Sequence, residues 1–472
     1  MQYFFLYLSL HNFIKYGIIK QKSKIDMKIN IPEKLNLLAQ SLPKPLYVVG
    51  GLCRDTLANL TSNRLDWDIC APLSALEVAD KAKDIGINVT AVYKNTGTVK
   101  LDADGETLEY TCFRTDKYVR GTHTPVSVSF TEDMTLDALR RDFKCNAVYY
   151  DIVRGEFVDP LGGIADIKAK RLTTVADPEK VFGEDGLRLM RLARIAVQTG
   201  FTPTEECKAG AFANASLIKD IAAERIWAEL SAILSADAKY GVKGGQYVGL
   251  KLLDSIGVLD IILPELTLGR GMVQRADYHD YDVLEHSLRS VLYAPLPVRL
   301  AALLHDVGKP YCKLNFGKFA GHDEVGRQMS RDICARLKVP GRLTDRVSEL
   351  VGLHMYDLNC ATAENKVRKF IVRHYDVLDE LLMVKQADYS ACKDDLSQAP
   401  CVKKWKAIIE KMKSEGIPFT LKELAIKGNE LIDGGICVDQ VGKTLNFLLE
   451  QVAMGCLPNQ REKLLAAAQK KV

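Results

Sequence analysis

The stretch LYVVGGLCRDTLANLTSNRLDWDICA, residues 46–71, contains the pattern that decides the fold of the N-terminal part. It begins with an apolar run, turns at Gly50-Gly51, continues with a helical pattern and ends in DWDIC, where polar and apolar residues alternate. Alternation with a period of two is typical of a strand with one buried face, and glycine pairs mark tight turns. The stretch therefore predicts strand, turn, helix and strand, which is the beginning of an α/β sheet domain.

The same stretch carries a candidate site for phosphoryl transfer. Asp66 and Asp68 are two residues apart on the predicted strand, so both carboxylates point to one face, while Trp67 and Ile69 form the opposite, apolar face. Two adjacent carboxylates repel each other and need a cation. In nucleotidyl transfer, Mg²⁺ supplies that charge and also neutralises the triphosphate and the leaving pyrophosphate. We therefore predict that both aspartates are catalytic and bind Mg²⁺.

The residues around this pair are weaker evidence for a phosphoryl-transfer site. Gly50 and Gly51 precede a predicted helix, where backbone N–H groups can approach a phosphate closely. Taken alone, a strand–Gly-Gly–helix turn is more often a packing device. Glu109 lies on a nearby predicted strand, and the sequence is equally compatible with a third catalytic acid and with a solvated glutamate.

The pattern of the chain changes near residue 177. Short β-type runs alternate with helical ones up to about Asp159, whereas the sequence after Asp177-Pro178, an N-cap followed by proline at the first helical position, is almost entirely helical in period. Histidines are concentrated between Asp277 and Asp388. These changes, with Met27 as a more typical start, predict a dispensable extension over residues 1–26, a head over 27–176, a helical neck over 177–270, a histidine-rich domain over 271–395 and a helical tail over 396–472.

Two further motifs follow the aspartates in order. Residues 140–147 read RRDFKCNA, and residues 159–163 read DPLGG, with Asp166 after them. Together with the patterns Gly-Gly-x-x-Arg-Asp and Asp-x-Asp, they resemble the class II tRNA nucleotidyltransferase and bacterial poly(A) polymerase branch of the DNA polymerase beta superfamily. Without this resemblance, the double arginine would be a solvated helix face. The resemblance implies that the nucleotide is bound by Gly50, Gly51, Arg54, Arg140, Arg141, Asp142 and Asn146. It also implies that the neck over 177–270 binds RNA or nucleotide.

Residues 184–191, EDGLRLMR, are a candidate for reading the incoming base. Asp185 and Arg188 are expected one turn apart on one face of a helix that begins here, a spacing that in isolation favours a simple salt bridge. The resemblance instead assigns the pair to the base. Cytosine and adenine each present an amino donor beside a ring-nitrogen acceptor, so a carboxylate and a guanidinium would select both. We expect Arg191 and Arg194 to face the triphosphate or the tRNA.

One loop departs from the family pattern. FRTDKYVRGTHTP, residues 113–125, resembles the loop FRTDGxYxDxRHP, which the family needs to switch from C to A addition, but Arg120 replaces an acid and Thr122 replaces an arginine. Terminal A addition is therefore implied less firmly than C addition, and a CC-adding enzyme stays open. A poly(A) polymerase also stays open, although the arginine-rich motif expected of it after the sheet is not found.

The histidine-rich domain resembles the HD phosphohydrolase superfamily. The contexts VLEHSLR, LAALLHDVGKP and KQADYSA follow one another in the order and wide spacing of that superfamily. A single buried histidine is usually a core residue, but imidazoles and carboxylates from several helices can close on one divalent ion. The implied ligands of a divalent metal are His286, His305, Asp306 and Asp388, with His322 and His354 where members with two metals supply additional ligands.

A phosphohydrolase is the alternative function of another class, with the head serving mainly to bind RNA. Its substrate would be a phosphate ester or a 2′,3′-cyclic phosphate at a tRNA end. We expect Lys309, three residues after the HD pair, to support the substrate phosphate. The alternative is that the cluster is a structural pin without hydrolytic activity.

The composition fits an ordinary globular protein of several domains, with 472 residues and a formal net charge of +4. The 12 cysteines form no CxxC pair, which is typical of free thiols in a reducing cytosol, so we expect a cytoplasmic protein without a membrane partner. The apolar start of the chain is interrupted by His11, Asn12 and Lys15, which argues against a signal peptide, and Met27 begins a more typical start.

We therefore predict an α+β protein, in which a polymerase-beta-like nucleotidyltransferase α/β head is followed by all-α neck, HD and tail domains. The expected reaction is template-independent transfer of CMP and AMP from CTP and ATP to the 3′ end of tRNA, which is CCA addition. The expected partners are tRNA, CTP and ATP, with Mg²⁺ at the head and a divalent metal of unspecified identity at the HD site. The oligomeric state stays open.

Overall fold

The structure is a computed structural model that describes residues 27–60, 66–119 and 125–471. Three expectations lie outside these residues, namely the extension over 1–26 with its interrupted apolar start, and the loop departures at Arg120 and Thr122. Among the described residues, no helix combines the length and the apolar character needed to cross a bilayer.

The chain divides into two compact units. The first comprises the chain up to Thr115 together with Val128–Ala169, and the second comprises Asp116–Ser127 together with Lys170–Val472. The change of architecture therefore falls at residues 169–170, slightly before the predicted position. The finer boundaries at 270 and 395 stay predictions.

The first unit is built on a seven-stranded sheet with the order β3-β4-β5-β2-β1-β8-β9. Strands β2 and β5 run parallel, and all other neighbours in this sheet run antiparallel. The strands of the unit and of the segment that follows it are β1 (Tyr47–Val49), β2 (Trp67–Ala71), β3 (Asn88–Tyr93), β4 (Thr98–Ala103), β5 (Glu106–Cys112), β6 (Arg114–Lys117), β7 (Ser127–Phe130), β8 (Tyr149–Asp151) and β9 (Glu156–Val158).

Five short helices accompany the sheet: α1 (Glu33–Ser41), α2 (Gly51–Leu57), α3 (Ala75–Asp84), α4 (Met134–Leu139) and α5 (Gly163–Lys168). Helix α3 begins with a capping box, in which Ser74 and Glu77 satisfy each other's backbone N–H groups. It buries Val78, Ala79 and Ala82, and this apolar face packs on β3, β4 and β5. The core of the unit therefore lies between the sheet and this helix.

The predicted glycine turn lies between β1 and α2. Gly50 has a φ of 81° and is the N-cap of α2, and a Cβ atom there would lie 3.3 Å from Asp68 Oδ2. A positive φ disfavours any residue with a Cβ atom. The turn therefore requires glycine for its backbone conformation and also brings the start of α2 against the acidic strand β2.

The DPLGG motif leads into α5 and brings this helix against the RRDFKCNA motif. Asp159 accepts hydrogen bonds from the N–H groups of Gly163 (2.8 Å) and Ile164 (2.9 Å), and thereby caps α5. A Cβ atom on Gly163 would lie 2.0 Å from the carbonyl oxygen of Lys144. Only glycine therefore allows α5 to pack on the 3₁₀ turn Lys144–Asn146 of the RRDFKCNA motif.

From Lys170 onwards, the described residues of the second unit are helical except for one short strand pair. Asp177 accepts a hydrogen bond from Lys180 N–H, and Pro178 occupies the first turn, as the sequence predicted. The sequence after Asp177 was expected to be almost entirely helical, and the exception is β11 (Thr202–Pro203), which pairs in parallel with β10 (Arg171–Leu172).

The helices of the second unit are α6 (Pro178–Glu184), α7 (Leu187–Thr199), α8 (Glu205–Ala213), α9 (Ala223–Leu234), α10 (Ala236–Tyr240), α11 (Gly245–Ser255), α12 (Leu259–Ile262), α13 (Pro264–Thr267), α14 (Val283–Tyr293), α15 (Arg299–Leu304), α16 (Gly308–Phe316), α17 (His322–Arg336), α18 (Gly341–Leu353), α19 (Glu364–Arg373), α20 (Leu378–Lys393), α21 (Pro400–Ser414), α22 (Gly428–Asp433), α23 (Val441–Ala453) and α24 (Arg461–Lys471). A mixed sheet followed by helices confirms the predicted α+β class.

Gly163→Ala is expected to lower the free energy of unfolding by about 1–3 kcal/mol, because the new methyl group overlaps a backbone carbonyl that cannot move aside easily. Urea unfolding followed by circular dichroism measures the change. Gly442→Ala is the matched control, since that helical glycine has open space around its Cβ position. Equal stability of the two variants would show that α5 does not need this close approach.

Candidate functional site

The acidic face of the head sheet begins at the second strand. Along β2, Trp67 and Ile69 are buried while Asp68 between them is exposed. Ladder pairing starts at Trp67, so Asp66 lies one residue before the strand and not within it. Asp66 is also exposed. The predicted alternation of an apolar and an acidic face is therefore present, and the strand is one residue shorter than expected.

Glu109 lies beside Asp68, a placement that the sequence left open. Asp68 pairs with Glu109 in the parallel register of β2 and β5, and Glu109 in turn pairs with Lys100 of β4. Residues in register on neighbouring strands point to the same face, and their strands are about 4.8 Å apart. Both carboxylates are exposed. Carboxylate oxygens side by side are the donor set that Mg²⁺ prefers, so Asp68, Glu109 and the adjacent Asp66 fit such an ion.

Arg54 connects the glycine turn to the RRDFKCNA motif. Its guanidinium donates to Asp55 Oδ1 through Nε (2.8 Å) and Nη2 (2.6 Å), and to Asn146 Oδ1 through Nη1 (2.8 Å). Asn146 Nδ2 donates to Asp142 Oδ1 at 3.0 Å. All four side chains are buried. The structure therefore brings the predicted residues Arg54, Asp142 and Asn146 together in one hydrogen-bonded network, in which they hold each other in place.

Asp137, which sequence reasoning missed, holds both arginines of the RRDF motif. Arg140 Nε donates to Asp137 Oδ1 at 2.8 Å, Arg141 Nη2 donates to Oδ2 at 3.0 Å, and the Tyr149 hydroxyl donates to Oδ2 at 2.7 Å. Burial would raise the pKa of Asp137, but the two guanidinium groups outweigh it and hold the pKa at about 2. An acid three and four residues before a double arginine was the signal that could have revealed it.

The predicted base-reading pair lies at a break between two helices. Glu184 ends α6, Asp185 has an extended backbone, and α7 begins at Leu187. The prediction that Asp185 lies within a helix was therefore wrong. Its carboxylate instead accepts a hydrogen bond from Leu187 N–H at 2.9 Å, as side chains of aspartates at such breaks do.

Arg188, the other member of that pair, is oriented by the end of α6. Its Nη1 donates to the carbonyl of Val181 (2.8 Å) and to Glu184 Oε2 (3.0 Å). Its guanidinium lies 5.7 Å from the ring centroid of Tyr118, the tyrosine of the FRTDKY loop. Asp185 and Arg188 are both buried, with 6% and 4% of their surfaces exposed. A base that reads them must therefore enter a confined space.

The two remaining predicted arginines differ in their surroundings. Arg194 Nε donates to Glu229 Oε2 of α9 at 2.5 Å, and Nη1 donates to Gln198 at 3.3 Å. Arg194 therefore ties α7 to α9, which is a packing role. Arg191 lies on α7 and is half-buried.

A first cluster of metal-ligating atoms lies in the HD domain. His286 Nε2 lies 3.1 Å from both His305 Nε2 and Asp388 Oδ1, and 3.4 Å from Asp306 Oδ2. His305 Nε2 lies 3.2 Å from Asp306 Oδ2 and 3.4 Å from Asp388 Oδ1. All four residues are buried. Two imidazole nitrogens and two carboxylate oxygens at this separation can share one divalent ion.

A second cluster uses the other oxygen of Asp306. His322 Nε2 lies 3.1 Å and His354 Nε2 lies 3.7 Å from Asp306 Oδ1, and the two nitrogens lie 3.3 Å apart. The residues form two groups that could each hold an ion, and Asp306 belongs to both. The structure therefore brings together all six predicted HD residues, with Asp306 between two groups.

Backbone contacts fix the ring orientation of three of these histidines. The Nδ1 atoms of His305, His322 and His354 lie 2.7, 2.9 and 2.6 Å from the carbonyl oxygens of Ala302, Phe319 and Val351. A proton on Nδ1 satisfies the carbonyl and leaves the lone pair of Nε2 directed into the cluster. This is the usual second contact of a metal-binding histidine.

The charges of the cluster also fit a cation. Burial would raise the pKa of Asp306, but His305 and Lys309 outweigh it and keep that pKa well below its usual range. Burial lowers the pKa of His305, but Asp306 and Asp388 outweigh it and raise the pKa to about 10. The carboxylates thus favour positive charge among the imidazoles, and a divalent ion supplies such charge while releasing a proton.

The helices around the cluster place its members differently from the sequence expectation. His286 and Asp388 lie within α14 and α20. His305 and Asp306 lie in the turn between α15 and α16, so the prediction that they are within a helix was wrong. From this turn, both side chains reach the cluster at once.

Lys385 was also missed, because its partners are distant in sequence. This fully buried lysine of α20 donates from Nζ to the carbonyl oxygens of His354 (2.6 Å) and Tyr356 (2.7 Å). Its Nζ lies 5.1 Å from the ring centroid of Trp405 in α21. Burial lowers the pKa of Lys385. The lysine therefore fixes the backbone of one cluster residue and touches the tail at the same time.

Asp357, next to that segment, makes a second connection to the tail. Its Oδ2 accepts hydrogen bonds from Lys404 Nζ and Trp405 Nε1, each at 2.9 Å. Its Oδ1 accepts one from Thr362 N–H at 2.8 Å. The segment 354–357 is thus hydrogen-bonded both to Lys385 of α20 and to Lys404 and Trp405 of α21.

Comparison with family profiles matches three parts of the chain. Residues 46–173 match a profile described as the poly A polymerase head domain, residues 200–268 match the probable RNA and SrmB-binding site of polymerase A, and residues 283–381 match the HD domain. The three matches follow one another in the order of the predicted head, neck and HD domains.

Two curated relatives and one solved structure extend this result. The chain is 28% identical over 442 residues to the CC-adding tRNA nucleotidyltransferase of Thermus thermophilus, covering 89% of this chain and 92% of that protein. It is 31% identical over 369 residues to the A-adding tRNA nucleotidyltransferase of Deinococcus radiodurans, covering 74% and 77%. The CCA-adding enzyme of Bacillus stearothermophilus, solved in complex with CTP, shares the fold with a TM-score of 0.65 and 22% identity, covering 93% and 98%.

Asp137→Asn is expected to lower the free energy of unfolding by about 3 kcal/mol at pH 7, because two half-buried guanidinium groups lose the buried carboxylate that is their countercharge. The folded-state pKa of about 2 lies below the ordinary value of 3.8. The stabilisation is therefore present above pH 4 and is lost as the pH falls toward 2. Urea unfolding at several pH values should show the variant and the wild type converging in that window. Asp133→Asn, at the exposed cap of the same helix, is the control, and a constant difference across the pH range would contradict this account.

Two divalent ions per chain are expected after dialysis against a divalent metal, because Asp306 belongs to two ligand groups. Elemental analysis by mass spectrometry counts them. His354→Ala should retain one ion, and Asp306→Asn should lose affinity for both. His374→Ala, a half-buried histidine outside both groups, should bind as the wild type does. One ion in the wild type and in His354→Ala alike would refute the second group.

Proposed function

The chain belongs to the tRNA nucleotidyltransferase family, and on this premise we propose that it adds C, C and A to the 3′ end of tRNA without a template. The tRNA 3′-oxygen bonds to the α-phosphorus of CTP or ATP, the bond to the β-phosphate oxygen breaks, pyrophosphate leaves, and the hydroxyl proton passes to solvent. The observation that carries the proposal is the register of Asp68 with Glu109 beside the Gly50 turn, with Asp66 adjacent.

The acidic face is proposed to hold Mg²⁺ through Asp66 and Asp68, with Glu109 as a third carboxylate. When bound, Mg²⁺ supplies charge neutralisation for the triphosphate and for the leaving pyrophosphate. The protein's own contribution is to keep the carboxylates in one row. Adjacent strands fix that spacing more tightly than a loop would.

The nucleotide is proposed to lie near the network that joins the glycine turn to the RRDFKCNA motif. Arg140 and Arg141 carry the positive charge suited to the triphosphate, and Asp137 holds them in fixed directions. Arg54, Asp142 and Asn146 stabilise that arrangement through mutual hydrogen bonds. Preorganised donors cost little reorganisation during the reaction, which is why such a network favours catalysis.

Selection of C and A is proposed to rest on Asp185 and Arg188. The carboxylate would accept from the exocyclic amino group, and the guanidinium would donate to the ring nitrogen. The contacts of Arg188 with Val181 and Glu184 hold its guanidinium in one orientation. Burial favours discrimination, because a base with a carbonyl in place of the amino group would set two oxygen acceptors against each other away from water.

A second activity is proposed for the HD domain, namely metal-dependent hydrolysis of a phosphate ester. Water adds to phosphorus, one ester P–O bond breaks, and the leaving oxygen takes a proton. The observation that favours it is the pair of ligand groups that share Asp306. Lys309 Nζ lies 2.6 Å from Asp306 Oδ2, and Gln274 Oε1 accepts from the same Nζ at 2.7 Å. A lysine at this position suits a substrate phosphate.

The setting of these reactions is proposed to be the cytoplasm, with tRNA, CTP and ATP as partners. All 12 cysteines are free thiols, which fits a reducing compartment. Helix α24, REKLLAAAQKK, carries a surplus of basic residues and is proposed to contact tRNA phosphates without reading sequence.

Asp68→Ala is expected to lower incorporation of labelled CMP and AMP into tRNA that lacks its CCA end by at least on the order of 10²-fold, because a metal-binding carboxylate is lost. Glu106→Ala, an exposed acid on β5, is the matched control and should keep wild-type activity. His305→Ala should also keep it, because the HD cluster is a separate site.

The products distinguish the alternatives. Addition that stops after C, C and A supports the proposal. Addition that stops after two C residues identifies a CC-adding enzyme, and long A tails identify a poly(A) polymerase. Wild-type incorporation by Asp68→Ala would refute the assignment of the acidic face.

A further inference from the structure

The segment GKPYCKLNFGKF, residues 308–319, lies between the cluster residues Asp306 and His322 and has an unusual composition. It carries the lysines 309, 313 and 318 and the aromatic residues 311, 316 and 319, and it contains no acidic residue. We call it the basic aromatic segment. It comprises α16 and the turn that leads to α17.

The outer part of the basic aromatic segment exposes apolar side chains. Tyr311 is 45% exposed, Leu314 is 67% exposed and Phe316 is 59% exposed. The rings of Tyr311 and Phe316 lie 6.1 Å apart at an interplanar angle of 73°. Scattered exposed apolar residues are ordinary, but adjacent rings of this size on the surface indicate a binding surface.

The inner part connects this surface to the HD cluster. The centroid of the Phe319 ring lies 5.8 Å from Lys309 Nζ and 5.6 Å from Lys313 Nζ. Lys309 reaches Asp306 at 2.6 Å, whereas Lys313 is exposed. Lys309, Phe319 and Lys313 therefore form a row of neighbouring side chains from the proposed hydrolytic centre to the protein surface.

Aromatic rings beside lysines are the combination that binds single-stranded nucleic acid. Bases stack on the rings irrespective of sequence, and the lysines neutralise the backbone phosphates. The bond that a metal-dependent phosphohydrolase cleaves is a phosphate ester. A ligand that has phosphates for the lysines, bases for the rings and a phosphate ester for the cluster is a single-stranded RNA end.

We propose that the basic aromatic segment binds the unpaired 3′ end of an RNA and directs its terminal phosphate to the HD cluster. The inference rests on the hydrolytic activity proposed for that cluster. Tyr311 and Phe316 stack on the last bases, Lys313 and Lys318 contact the backbone, and Lys309 faces the terminal phosphate. The HD substrate is thereby an RNA end and not a free small phosphate ester.

The test compares two substrates of the full-length protein. One is a short oligoribonucleotide that ends in a 2′,3′-cyclic phosphate, and the other is bis(p-nitrophenyl) phosphate, which is also a phosphodiester but has no base and no sugar-phosphate backbone. Tyr311→Ala/Phe316→Ala should raise KM for the oligoribonucleotide about 10-fold or more. Its kcat and its turnover of the small ester should stay at the wild-type level.

The lysines are tested by charge reversal. Lys313→Glu/Lys318→Glu should raise KM for the oligoribonucleotide and should make that KM less dependent on salt, because two phosphate contacts are lost. Tyr93→Ala, which removes an exposed ring from β3 in the head, is the matched control and should leave both substrates unaffected.

Three outcomes of these experiments would contradict the proposal. Equal loss of both substrates in the double alanine variant would show that the rings only support the fold, and unchanged KM in both double variants would place RNA elsewhere. Retained RNA turnover together with lost sedimentation on phosphatidylglycerol vesicles would make the segment a lipid-binding surface. Any of these three results overturns the proposal.

Failure of the proposed hydrolysis is recognised separately. It would appear as no turnover of either substrate by the wild type with Mg²⁺, Mn²⁺, Co²⁺, Ni²⁺ or Zn²⁺. RNA binding is then read from the fluorescence of 2-aminopurine placed at the 3′-terminal base of the oligoribonucleotide. Quenching that is lost in Tyr311→Ala/Phe316→Ala supports the binding surface, and quenching that persists in that variant refutes it.

Discussion

Both carboxylate oxygens of Asp306 lie close to imidazole nitrogens. Oδ2 is near Nε2 of His286 and His305, and Oδ1 is near Nε2 of His322 and His354. A carboxylate that is removed from water is tolerated only when nearby positive or polar groups compensate it. Here the compensating groups arrive from five separate helices or helix ends, so none of these elements can shift without disturbing the others. The helices of the HD domain therefore pack around the Asp306 side chain, and the apolar contacts between them stabilise this packing.

In the head, buried carboxylates are likewise compensated by nearby positive and polar groups. Asp137 compensates two arginines, and the pair of Arg54 with Asp55 is joined to Asn146 and Asp142. Most of these residues belong to motifs that we propose to bind the nucleotide. In the structure they also support one another. Residues of this kind serve stability and chemistry together, and a substitution there affects both.

Much of the architecture could be predicted from local patterns. The period of two in β2, the glycine turn and the cap at Asp177-Pro178 all depend on residues close in sequence, and each is present in the structure. The order of the histidines and aspartates indicated the HD cluster because resemblance to a family supplied the long-range information. The extended backbone at Asp185 was missed, because spacing alone cannot distinguish a continuous helix from two helices with a break.

The features that the sequence could not supply are those that depend on distant pairing. Glu109 lies beside Asp68 because two strands pair in parallel across an intervening hairpin, and no local pattern fixes such a register. Lys385 donates to the backbone of His354 and contacts Trp405 of the tail, so one buried lysine connects two regions that appear separate in the sequence. Exchanging the HD region without the tail would therefore leave this lysine beside a foreign partner in place of Trp405.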